Sequence, residues 1–67
     1  MLVAKGSVIG DVVDAYPQSA AAITRLIGDA CFTCAGFRME TLEFAANIHG
    51  VDPELLISEI RKEIGEP

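Results

Sequence analysis

Two cysteines stand near the middle of the chain, in the stretch DACFTCAGF over residues 29–37. Cys31 and Cys34 are the only cysteines present. A tight turn or a single helical turn brings residues at i and i+3 together. That meets the Cα separation of about 4.4–6.8 Å that a disulfide requires. The pair can therefore cycle between dithiol and disulfide with little backbone motion. The same spacing also serves zinc, which takes four ligands in a structural site. One chain offers Cys31, Cys34 and His49, with Asp29 or Glu40 as a poor fourth, and no second CxxC. A homodimer could pool four thiolates around zinc or an iron–sulfur cluster. In a third reading both cysteines are inert core residues, since free cysteine is among the most buried types. Asp29, Gly36 and the polar Thr33 speak for a loop instead. Spacing alone leaves the three readings open.

The reactive species of a thiol pair is the thiolate. By analogy with thioredoxin-like sites Cys31 is the default nucleophile; a helix starting near Thr33 would favour its thiolate, whereas a second helix ending at Cys31 would disfavour it. Arg38 is the nearest positive charge in sequence. Phe32 and Phe37 flank the pair, either as core residues or as an apolar collar for a docking partner. His49 ends a helical segment before Gly50 and reads as a capping or packing residue rather than a base. Tyr16 reads as core or half-buried. No carboxylate pair stands out for acid–base work.

Around this pair the composition sets limits. With 67 residues the chain makes one domain, spanning 1–67. Hydrophobic residues make up 51 %, with only Tyr16, Phe32, Phe37 and Phe44 aromatic, so the core is aliphatic. The net charge is −5 and the five basic residues form no cluster. Nucleic acid and anionic membrane surfaces are thus unsuited partners. No segment reaches the roughly 20 apolar residues of a membrane span. The opening MLVAKGSVIGDVV has Asp11 where a signal peptide stays apolar, and no basic leader. The expected location is cytoplasmic, where a close cysteine pair is more often catalytic, redox-sensing or metal-binding than structural.

Four short helices must position the pair. The first covers 8–16, with Ser7 as N-cap and Ile9, Val12, Val13 and Tyr16 on one face. A second runs over about 17–28, with Pro17 at its first position and Ala20, Ile23, Leu26 and Ile27 apolar. Gly28 suits a left-handed C-terminal cap. A third covers about 39–49, with Leu42, Ala45, Ala46 and His49 sharing a face and Phe44 and Ile48 beside it. The fourth starts at Asp52 as N-cap and Pro53 as first residue, with Val51 stapled to Leu56. It buries Leu56, Ile57, Ile60 and Ile64. Residues 3–8 hold a short extended piece at most. The expected fold is an all-α compact bundle of about four short helices, with CxxC on the connection between helices 2 and 3.

These segments, VIGDVVDAYP, AAAITRLIG, CFTC and METLEFAANIHGVDPELL with the final amphipathic helix, follow one another in a familiar order. The chain resembles the small helical domain of unknown function described as the hybrid-cluster-protein-associated redox disulfide domain. More distantly it is similar to the N-terminal domain of iron–sulfur cluster repair di-iron proteins, which carries adjacent cysteines at the corresponding place. The resemblance implies an all-α fold and a redox-active disulfide carried by Cys31 and Cys34. Phe32 and Thr33 between the cysteines depart from the smaller residues usual there. With no βαβ pattern, a thioredoxin fold is not expected.

The expected activity is thiol–disulfide exchange, or electron delivery to a partner redox enzyme, through Cys31 and Cys34. That would make the protein oxidoreductase-like, with a protein redox partner and no cofactor. The alternative is an interaction module or homodimer whose cysteines hold a shared zinc or iron–sulfur site.

Overall fold

The computed structural model describes residues 1–28 and 30–66. Helix α1 spans Ile9–Ala15. Ile9 and Val12 are fully buried, with Val13 and Tyr16 half-buried beside them, as their spacing requires. Ser7 does not cap this helix. Its hydroxyl accepts from the Ala4 N–H at 2.9 Å, and Val8 occupies the cap position without a side-chain bond. A neighbouring segment holds the start of α1 instead. The Ile9 N–H donates to the Glu40 carbonyl at 2.9 Å, and the Leu42 N–H donates back to the Ser7 carbonyl at 2.9 Å. Val8 and Thr41 thereby form an isolated antiparallel bridge.

Helix α2 spans Ser19–Ile27, two residues later than Pro17 suggests. The Ser19 N–H donates to the Tyr16 carbonyl at 2.8 Å, so Pro17 sits in a tight turn ahead of the helix. The buried face is Ser19, Ala22, Ile23 and Ile27, with Ala20 and Leu26 half-buried at its edge. Gly28 ends α2 with φ 90° and ψ −128°. That is positive-φ backbone for which glycine is suited, although not the left-handed helical cap expected.

The helix expected over about 39–49 is shorter, and a further helix precedes it in the stretch expected to be connection. Residues Ala35–Met39 form α3 and Leu42–Ile48 form α4. Thr41 separates them: its backbone is extended, and its side chain accepts from the Phe44 N–H at 3.1 Å. Leu42, Ala45 and Ala46 are buried as expected. His49 is not on that face, because α4 has ended and His49 stands exposed at its C-cap. Helix α5, Pro53–Ile64, begins as its sequence dictates, with the Asp52 carboxylate accepting from the Glu54 N–H at 2.9 Å.

The elements form an all-α bundle with a Cα radius of gyration of 10.2 Å. α5 packs on α2 and α4, while α1 packs on α2 and α3. Val3, Ile9, Val12, Ile23, Leu42, Leu56 and Ile60 meet in one aliphatic core, each at 0 % exposure. Each such side chain contributes about 1.5–3 kcal/mol by leaving water. Val3 joins because the chain ends tie together: Arg61 donates to the Val3 carbonyl at 2.7 Å, and the Val3 N–H reaches Glu66 at 3.4 Å. Across the outer face of α2 and α5, Arg25 pairs with Glu63 at 2.9 Å and Glu59 at 3.4 Å. Such exposed pairs contribute little. Among the described residues no helix is long and apolar enough to cross a membrane.

Candidate redox site

Cys31 and Cys34 lie on the connection between α2 and α3, and their sulfurs are bonded. Their Cα atoms are 5.4 Å apart, within the range a disulfide accepts. The backbone makes the turn that the spacing needs, with the Cys34 N–H donating to the Cys31 carbonyl at 3.2 Å. Both cysteines and Thr33 are exposed, so the pair is not part of the core. Asp29, weighed as a metal ligand from the sequence, lies outside the described residues. Among the described residues no three His, Cys, Asp or Glu side chains converge where a metal could be held.

Three contacts hold the turn to the fold. Phe32, inside it, meets Phe37 of α3 edge to face, with ring centroids 5.7 Å apart and planes at 76°. Both rings are half-buried and packed against the core. They anchor the turn and form no exposed collar. Such an aromatic pair is worth about 0.5–1.5 kcal/mol beyond its buried area. The second contact is Arg38, whose guanidinium donates to the Phe32 carbonyl at 3.2 Å and to Asp14 of α1 at 2.7 Å. The charge that could have faced the sulfurs is thus engaged by a carboxylate and a turn carbonyl.

Gly10 makes the third contact possible. It is buried in α1, and a Cβ there would lie 3.0 Å from the Arg38 carbonyl oxygen and 3.2 Å from the Arg38 Cβ. Only a residue without a side chain lets α1 and α3 approach so closely. Reading the sequence for chemistry passes over Gly10. The available signal was an isolated glycine inside a helical pattern, which commonly marks close packing.

Chemically, the turn presents a neutral surface. No residue from Ala30 to Phe37 is charged. Thr33 Oγ1 lies 3.7 Å from Cys31 Sγ. A bonded sulfur has no proton to give, so the Thr33 hydroxyl is the donor. Cys34, rather than Cys31, holds the N-cap of α3. This helix has only five residues, so its dipole adds little at that sulfur.

Beyond Cys34 the surface turns apolar. Met39 and Phe44 are 76 % and 52 % exposed, large values for such side chains. With Gly36, Glu40 and Thr41 they line an open cleft of about 370 Å³ between α3 and α4.

No curated protein and no solved structure matches the chain. A family model does, over residues 5–57, which include α1 to α4, both cysteines and the start of α5. The chain belongs to that family, a domain of unknown function (DUF1858).

Proposed function

We propose that Cys31 and Cys34 exchange reversibly between a disulfide and a dithiol, passing two electrons to or from a partner protein's cysteines. The observation that carries this reading is a bonded pair open to solvent on a turn that the core, Arg38 and Gly10 hold in place. A structural crosslink needs no such exposure. An exchange site does, because the attacking sulfur must approach along the S–S axis.

The exchange balances without any further reagent. A partner thiolate attacks one sulfur of the pair, and the Cys31–Cys34 bond breaks. One sulfur joins the partner in a mixed disulfide, and the other leaves as a thiolate that takes a proton from water. The partner's second thiolate then attacks its own sulfur in the mixed disulfide. The partner departs as a disulfide and the pair is left as a dithiol. Two electrons have moved from partner to protein. In reverse, the reduced pair attacks and resolves a partner disulfide. The resemblance of the sequence to the hybrid-cluster-protein-associated redox disulfide domain, which implies a redox-active pair at Cys31 and Cys34, supports the same reading. A reducing compartment such as the cytoplasm would keep the pair cycling.

Cys31→Ser and Cys34→Ser each leave one thiol and test the reading. The variant lacking the resolving sulfur should accumulate an intermolecular disulfide in cells that the wild type does not, and its identity tells which sulfur attacks. Failure of both variants to form any mixed disulfide, in cells or with glutathione disulfide, would reject exchange.

A further inference from the structure

The cleft between α3 and α4 has features that select what the exchange partner brings. It opens at Gly36, two residues beyond Cys34, and runs to Met39 and Phe44. At about 1.5 Å and 100° per helical residue, Met39 lies some 7 Å along α3 from Cys34 and about 140° around it, so an occupant must pass around the start of the helix. Ile48, one turn beyond Phe44 on α4, is 59 % exposed and prolongs the apolar strip. Apolar side chains grouped in this way offer a surface that a partner can cover. A volume of about 370 Å³ is at the low end for small-molecule sites, and suits one or two side chains.

Charge distinguishes between occupants. The one ionisable residue lining the cleft, Glu40, makes no ion pair among the described residues. A second copy of the chain would bring its own net charge of −5 against the same surface. Like charges oppose that association, whereas a cationic segment is attracted.

We infer that the cleft receives the partner's cysteine-bearing segment, bound extended, with a large apolar side chain about three residues from its cysteine and a Lys or Arg beside it. An extended chain advances about 3.3 Å per residue, so about three residues cover the path of roughly 8–9 Å from Cys34 around α3 to Met39. This inference rests on the exchange reading and names the kind of partner for it.

The test uses synthetic peptides with one cysteine, each carried as a mixed disulfide with thionitrobenzoate. One has Leu three residues after the cysteine and Lys next to it. A second replaces that Leu by Ser, and a third replaces the Lys by Glu. Glutathione in the same mixed disulfide reports thiol reactivity without the cleft. Reduced wild-type protein should release thionitrobenzoate from the Leu–Lys peptide about tenfold faster than from the Ser peptide, the effect of partly burying one leucine. In the Met39→Ser, Phe44→Ser double variant the two rates should converge, with the glutathione rate unchanged. Glu40→Gln should remove the preference for Lys over Glu. Equal rates for all peptides alongside normal glutathione exchange would overturn the inference and leave the exchange reading standing. No reaction with glutathione either would reject both. A wild-type dimer that Phe44→Ser dissolves would give the cleft to a second copy and also overturn it.

Discussion

Replacing Gly10 by alanine adds one methyl group where α1 crosses α3. The new Cβ would stand 3.0 Å from the Arg38 carbonyl oxygen and 3.2 Å from its Cβ and Nη2. The guanidinium nitrogen can swing away, but the carbonyl moves only if α3 moves. Overpacking of this kind costs about 1–3 kcal/mol. Alanine returns about 0.5–1 kcal/mol by its better helix propensity, less at the second residue of a helix. The net is a loss of about 1 kcal/mol or somewhat more. For a domain of this size each kcal/mol lowers Tm by about 4–8 °C. Gly36→Ala is the matched comparison. It too is a helical glycine, with no positive φ, and its added Cβ would meet nothing within 4 Å. It should be neutral or stabilise by up to about 0.5–1 kcal/mol. Thermal unfolding followed by circular dichroism should therefore move in opposite directions for the two variants. Glutathione exchange gives a second readout. Gly10→Ala displaces Arg38 and the turn it holds, so its exchange rate should change, whereas that of Gly36→Ala should not. If Gly10→Ala melts at or above Gly36→Ala, the close α1–α3 crossing does not position the cysteine turn as argued.

Other consequences are simpler. The Ser19 hydroxyl is fully buried and has no partner among the described residues, so Ser19→Ala should raise stability by about 1 kcal/mol in urea unfolding. A loss of that size instead would mean the hydroxyl is paired. The Cys31→Ala, Cys34→Ala double variant should keep its helical circular dichroism, because neither cysteine is in the core. Loop-closure entropy for a four-residue loop puts its cost at about 2 kcal/mol, and an unfolded variant would mean the bond is structural. The Glu59 carboxyl is held below its ordinary range, first by the Lys62 hydrogen bond and then by Arg25. Its folded pKa is depressed, so the stabilisation exists above the unfolded value of about 4.3 and is lost as pH falls through the lower folded value. The urea midpoint of the wild type should lie slightly above that of Glu59→Gln near neutral pH, and the two should converge in acid.

What the sequence disclosed was what neighbouring residues decide. Asp52 and Pro53 announce the start of α5 because a cap and a fixed φ act within one turn. The buried faces of α1, α4 and α5 follow from spacing alone, since Ile9 and Val12, Leu42 with Ala45 and Ala46, and Leu56 with Ile60 can only point one way. Long-range contacts were hidden. Ser7 looked like a cap, yet the Glu40 carbonyl, far along the chain, serves the start of α1. The break between α3 and α4 comes from Thr41 pairing with Val8, a partner that local reading does not see. His49 kept the helical period but lay one residue beyond the helix. At the site itself, Asp29, Thr33 and Gly36 spoke for a loop, and the cysteine spacing permitted the bond that the turn makes. The Arg38 bridge to Asp14 spans 24 residues, and the Gly10 contact depends on how α1 and α3 cross, so neither was legible.

The most direct test of the exchange reading is a redox titration of the pair. The purified chain is equilibrated in buffers of defined thiol–disulfide ratio, its free thiols are alkylated, and the species are counted by mass. The account predicts a single two-electron transition between dithiol and disulfide, reversible from either side. Its midpoint should lie among those of cellular exchange proteins, about −120 to −270 mV. A pair that stays bonded well below about −300 mV would behave as a structural disulfide and contradict the account.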